Sequence, residues 1–68
     1  MLDKNVIFQG FETIPENENF QYMITDKGKF LILREGSMID KAKSAGLKYG
    51  DKITIVVKGN SVVWWYFM

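Results

Sequence analysis

The sequence contains neither cysteine nor histidine, and only one proline. No disulfide can staple the fold. No thiolate or imidazole is available as a nucleophile or base, and zinc would find only oxygen ligands, which it rarely accepts. Apolar runs are short: the longest, Val62 to Met68, spans seven residues, against the roughly 20 of a membrane-crossing helix. The opening Met1-Leu2-Asp3-Lys4-Asn5 lacks the basic-then-apolar pattern of a signal peptide. These absences lead to the expectation of a soluble cytoplasmic protein with no metal, no cofactor and no membrane partner.

What is present argues for a packed fold. The 68 residues are 47% hydrophobic with a net charge of +1, too apolar and too neutral for intrinsic disorder. That length holds a single domain, residues 1–68, whose core is marginal without disulfides or metals. Stability must therefore come from the aromatics, 15% of the chain, or from a second copy.

Five segments read as strands. Val6 to Ile14 is rich in β-branched and aromatic residues, with Gly10 as a bulge or bend, and it ends at Pro15 before a polar loop. Phe20 to Thr25 alternates, placing Phe20, Tyr22 and Ile24 on one face and Gln21, Met23 and Thr25 on the other. Asp26-Lys27-Gly28 makes a tight turn into Phe30 to Leu33, an unbroken apolar run that predicts burial on both faces. Lys52 to Lys58 points Ile53, Ile55 and Val57 inward, and Gly59-Asn60 turns the chain into a last strand, Ser61 to Met68.

Between the third and fourth strands lies one short helix of about nine residues. Ser37 reads as its N-cap, with Asp40 completing a capping box, and Gly46 as a left-handed C-cap. Ile39, Ala42, Met38 and Ala45 form the buried stripe, while Lys41, Lys43 and Ser44 face water. The element order is β-β-β-α-β-β, which predicts a mostly β fold: a small five-stranded barrel with one helix.

That order, together with Leu47-Lys48-Tyr49-Gly50-Asp51-Lys52-Ile53 leading into the fourth strand, resembles a minimal OB-fold of the kind found in small single-stranded nucleic-acid-binding proteins. Two other resemblances use overlapping residues. Ala45 to Ile53, continuing to Trp64, with Thr25 to Ile32 as the earlier strand, resembles AbrB-type swapped-hairpin domains. That family has a proline near Leu33 and a shorter spacing from Lys27-Gly28 to Gly46-Leu47, and it has no counterpart of Val6 to Ile14. Glu35-Gly36-Ser37 with Ala45-Gly46-Leu47 and Gly50-Asp51 is similar to PDZ domains, which need a further helix and strand.

Charge is unevenly spread. Residues 1–26 carry one lysine against five acids, net −4, while residues 27–68 carry eight bases against three acids, net +5. This fits a basic groove for phosphates. It equally fits a solvated lysine face, and a pI near 8.0 lies below the value above about 9 that marks dedicated nucleic-acid binders. Ten aromatics exceed what so small a core can absorb. Trp64 and Trp65 are adjacent in a strand and so point to opposite faces. Val62, Trp64 and Tyr66 share one face, read as outward; Val63, Trp65 and Phe67 share the other.

No paired carboxylates are spaced for acid–base work, Gly28-Lys29 alone is no phosphate loop, and Asp51 reads as a turn carboxylate bonding local amides. The leading expectation is a non-enzymatic protein that binds single-stranded nucleic acid. Tyr22, Phe30, Tyr49 and Trp64 would stack bases, and Lys27, Lys29, Arg34 and Lys48 would neutralise phosphates. The alternative is a protein-interaction module or inhibitor that docks through its last strand, with Trp65, Tyr66 and Phe67 at the interface, possible homodimerisation included. A third expectation is a dimeric AbrB-like DNA-binding regulator. A bare apolar terminal strand is an aggregation hazard, so something is expected to cover it.

Overall fold

The computed structural model describes residues 1–68. Five strands and one helix follow in the order β1 (Leu2–Thr13), β2 (Phe20–Thr25), β3 (Gly28–Leu33), α1 (Ser37–Ala45), β4 (Lys52–Lys58) and β5 (Ser61–Phe67). The strands form one sheet closed on itself in the order β1-β2-β3-β5-β4. Every neighbouring pair is antiparallel except β3 and β5, which run parallel and meet at one residue pair, Leu31 opposite Ser61.

β1 makes closure possible. Its first half, Leu2 to Ile7, pairs with β4, and its second half, Phe8 to Thr13, pairs with β2. The change of partner coincides with a bulge between Phe8 and Gly10. Gly10 sits at φ 114°, a region glycine enters without steric cost. Asp26 completes the ladder there, its Oδ1 accepting the Ile7 N–H at 2.7 Å. The sequence reading began this strand at Val6; the polar Leu2-Asp3-Lys4-Asn5 segment joins it because β4 supplies its hydrogen bonds.

Inside the ring the inward positions alternate as a pleated strand requires. Val6 and Phe8 of β1, Met23 of β2, Phe30 and Ile32 of β3, and Ile53, Ile55 and Val57 of β4 are buried in one cluster. The β4 orientation matches expectation. β3 does not: Phe30 and Ile32 are buried, Leu31 is half-buried and Leu33 is exposed, so only one face of this strand is fully covered. Trp65 and Val62 of β5 also point inward. A second bulge explains how. Val57 pairs with Val62 and Val56 with Trp64, so Val63 has no partner and the alternation shifts. Val62 is therefore inward, not outward beside Trp64 and Tyr66.

Helix α1 lays Met38, Ile39 and Ala42 against this core, while Ala45 is exposed. Its start differs from the expected capping box. Gly36 is the cap residue, its carbonyl accepts the Asp40 N–H at 3.0 Å, and no side-chain cap bond forms. Ser37 is already the first helical residue. At the other end Gly46 takes the left-handed conformation, φ 69°, as expected. No helix is long and apolar enough to cross a membrane.

Candidate functional site

The outer face of β2 and β3 is built by register. Because Met23 and Thr25 point inward, Phe20, Tyr22 and Ile24 point outward, and all three are half-buried. Tyr22 lies between Glu12 of β1 and Leu31 of β3, and Ile24 lies opposite Lys29. The Lys29 ammonium donates to Glu12 Oε2 at 2.8 Å and sits 5.5 Å from the Tyr22 ring centroid. The hydrogen bond and charge of Glu12 raise the Lys29 pKa above its ordinary 10.5, with a smaller contribution from Tyr22. Lys27 is exposed at the tip of the β2–β3 turn beside Asp26. This surface thus offers an aromatic ring beside one lysine, with Lys27 at the turn and Glu12 and Asp26 interspersed; it is not a uniformly basic groove.

A second surface lies outside β4 and β5. Trp64 is 40% exposed and opposite Val56, and Tyr66 is opposite Thr54. The Lys41 ammonium stands 4.8 Å from the Trp64 ring and 4.5 Å from the Trp65 ring, and donates to the Trp65 carbonyl at 2.7 Å. Lys41 therefore does not simply face water as the helical pattern implies. It caps a backbone oxygen on β5, one way in which sheet edges are blunted. Thr54 Oγ1 donates to Asn5 Oδ1 at 2.8 Å beneath Tyr66.

The remaining expected residues are scattered. Phe30 is 7% exposed, faces Met23 across the ladder and presents no ring face to a base. Trp65 is 0% exposed, and its indole Nε1 donates to the Met38 carbonyl at 3.1 Å; it is a core residue and cannot anchor a partner, whereas Tyr66 and Phe67 are exposed. Lys48 and the 74% exposed Tyr49 lie on the loop between α1 and β4. That loop is tied to β1 by Gly50 N–H to Phe8 O and Phe8 N–H to Asp51 O, both 2.8 Å. Asp51 Oδ2 accepts the Lys48 N–H at 3.0 Å. Arg34 follows directly after β3 and donates through Nη1 to Asn17 O at 2.9 Å.

The ring thus brings Tyr22 and Lys29 together, keeps Lys27 at the tip of the same hairpin, and leaves Trp64, Tyr49, Lys48 and Arg34 on other parts of the surface. Phe20 and Leu31 escaped the sequence reading as surface participants, although the Phe20-x-Tyr22-x-Ile24 alternation already placed Phe20 beside Tyr22, and Lys41, expected to face water, instead reaches β5. No group of three or more acidic side chains is arranged to hold a metal ion. Comparison with protein-family models, with curated proteins and with solved structures gives no match to this chain.

Proposed function

We propose that this chain is a small OB-like barrel that binds single-stranded nucleic acid without catalysis, through the outer face of β2 and β3. The observation that carries the reading is the ring order β1-β2-β3-β5-β4 with a helix between β3 and β4, the architecture whose β2–β3 face takes oligonucleotides in OB-folds. Tyr22 supplies the stacking ring, with Phe20 beside it on the same strand face, and Lys27 and Lys29 meet phosphates. A cytoplasmic site of action goes with this reading. With only two lysines at the face and a net charge of +1, binding is weak. A single-strand salt slope near −0.7 per phosphate gives, for two lysines, a log–log slope of about −1.4. Anisotropy of a labelled oligothymidine is expected to show binding at low salt that fades as salt rises. Tyr22→Ala should weaken it by the roughly 1–3 kcal/mol of one base–aromatic stack. No binding at micromolar protein in low salt removes the reading, and tighter binding of duplex DNA in the same titration favours the AbrB-like alternative.

A second reading has its own observation: Trp64 and Tyr66 sit side by side in register outside β5, each about two-fifths exposed. Such aromatics suit an interface anchor, here for a second copy of the chain. Sedimentation of the wild type beside Trp64→Ala tests it; a concentration-independent monomer in both eliminates this reading.

A further inference from the structure

At the end of the ring under α1 lies a cleft of about 370 Å3 that the sequence reading did not single out. Its apolar wall is Phe11, Ile39, Ala42 and Leu47, and its polar lining is Gln21, Arg34 and Lys43. No carboxylate lines it. Glu18 and Glu35 border a separate depression with Asn19 and Leu33, and neither pairs with Arg34. Arg34 is half-buried and uses one of its five donors on Asn17 O, so the guanidinium is held in place while most of its fork is unused. The side chain of Lys43, in the last turn of α1, makes no ion pair and no hydrogen bond. Two uncompensated cations beside an apolar wall form a site complementary to an anion with an apolar body.

We propose that this cleft binds the phosphate monoester of a nucleotide. The phosphate lies between Arg34 and Lys43, where a charge of −1.5 to −2 near pH 7 matches two cations and the guanidinium fork offers paired donors. The base lies against Phe11, which is held edge-on to Phe8 at 5.0 Å and is 38% exposed. Gln21 presents an amide with both donor and acceptor to the base edge. The volume sits at the lower end of the roughly 300–1,000 Å3 range of small-molecule sites, which suits one nucleotide and not a strand. The site shares no residue with the β2–β3 face and stands whether or not that face binds an oligonucleotide.

The test is an amide-resolved NMR titration of the intact protein with thymidine 5′-monophosphate and with thymidine. The nucleotide is expected to bind about tenfold or more tightly than the nucleoside, the scale of one charge-assisted contact, and to shift the amides of Gln21, Arg34 and Lys43. Its affinity should rise several-fold from pH 5 to pH 7 as the phosphate loses its second proton near pH 6. Arg34→Gln should erase the preference. Since Arg34 also holds the β1–β2 loop, Lys43→Gln, whose side chain makes no hydrogen bond or ion pair in the fold, serves beside it and should lower nucleotide affinity several-fold while leaving thymidine unchanged. Equal affinity for nucleotide and nucleoside, shifts confined to other surfaces, or an unaffected Lys43→Gln overturns the proposal. A 5′-phosphorylated oligothymidine that binds better than its 5′-hydroxyl form identifies the strand end as the source of the phosphate; equal binding of the two identifies the free nucleotide.

Discussion

Adjacent in sequence, Trp64 and Trp65 have opposite surroundings. Trp65 is enclosed, packs edge-on against Phe67 at 5.2 Å and gives its only donor to Met38 O. Trp64 lies on the surface with the Lys41 ammonium over its ring. Trp65→Ala is expected to cost about 3–5 kcal/mol through the cavity and the stranded carbonyl, a large fraction of the roughly 5–15 kcal/mol that holds a small domain folded. Trp64→Ala forfeits mainly a cation–π contact and costs about 1 kcal/mol. Urea unfolding of the two variants checks this, and equal losses would contradict it. Lys29 gives a second prediction at this scale. Glu12 raises its pKa above 10.5, so the stability that the lysine's charge contributes is fully present below its ordinary pKa and disappears as pH climbs past the raised one. Lys29 should titrate above its ordinary 10.5 by NMR, and Glu12→Gln should lower it toward that value.

Among the elements, the two bulges show what a sequence reveals and what it hides. Gly10 marks its bulge openly, because a glycine in an otherwise β-branched run has few other reasons to be there. Val63 gives no such sign. It is chemically the same as Val62, yet one valine is buried and the other exposed, because β4 skips a partner at that point. Strand positions, the hairpin turns, the helix and its Gly46 cap were legible from local chemistry. The first half of β1 was not, since its partner β4 lies at the far end of the chain. Ser37 misled by one residue: the helix starts from Gly36, whose carbonyl accepts the first intrahelical bond from Asp40, and no side chain caps the first turn. The candidate face was half legible: Tyr22 and Lys29 meet as their alternation allows, whereas Phe30 turns inward because inward and outward are assigned by the whole ring. Deleting Val63 should remove the bulge while keeping Val62 and Trp65 inward and Trp64 outward, at a cost of about 1 kcal/mol. Deleting Val56 from the opposite strand should invert the inward set and unfold the protein. Thermal melts by circular dichroism compare the two, and a larger loss on deleting Val63 would refute the account.

For the molecule as a whole, closure is uneven. β2 and β3 share six residue pairs, β1 and β4 another six, but β3 and β5 share one. The ring is therefore weakest along the β3–β5 seam, where the Leu31 N–H to Asn60 O bond at 2.8 Å and the Lys41 cap on Trp65 O replace a ladder. Local opening follows the least-supported hydrogen bonds, so the Leu31 amide should exchange with deuterium about tenfold or more faster than the Met23 and Ile55 amides. Uniform protection across all of these would show that the seam is no weaker than the rest.

The divided pairing of β1 also sets an order in time. During synthesis β1, β2 and β3 leave the ribosome first, and the second half of β1 can join that meander at once. Its first half cannot, because Leu2 to Ile7 wait for Lys52 to Val57. Until β4 has emerged, Val6 and Ile7 sit on an unpaired strand edge of the kind that recruits other chains. The last step of folding falls after most of the chain has been made, and slowing translation should therefore lengthen the interval in which the nascent protein is open to aggregation.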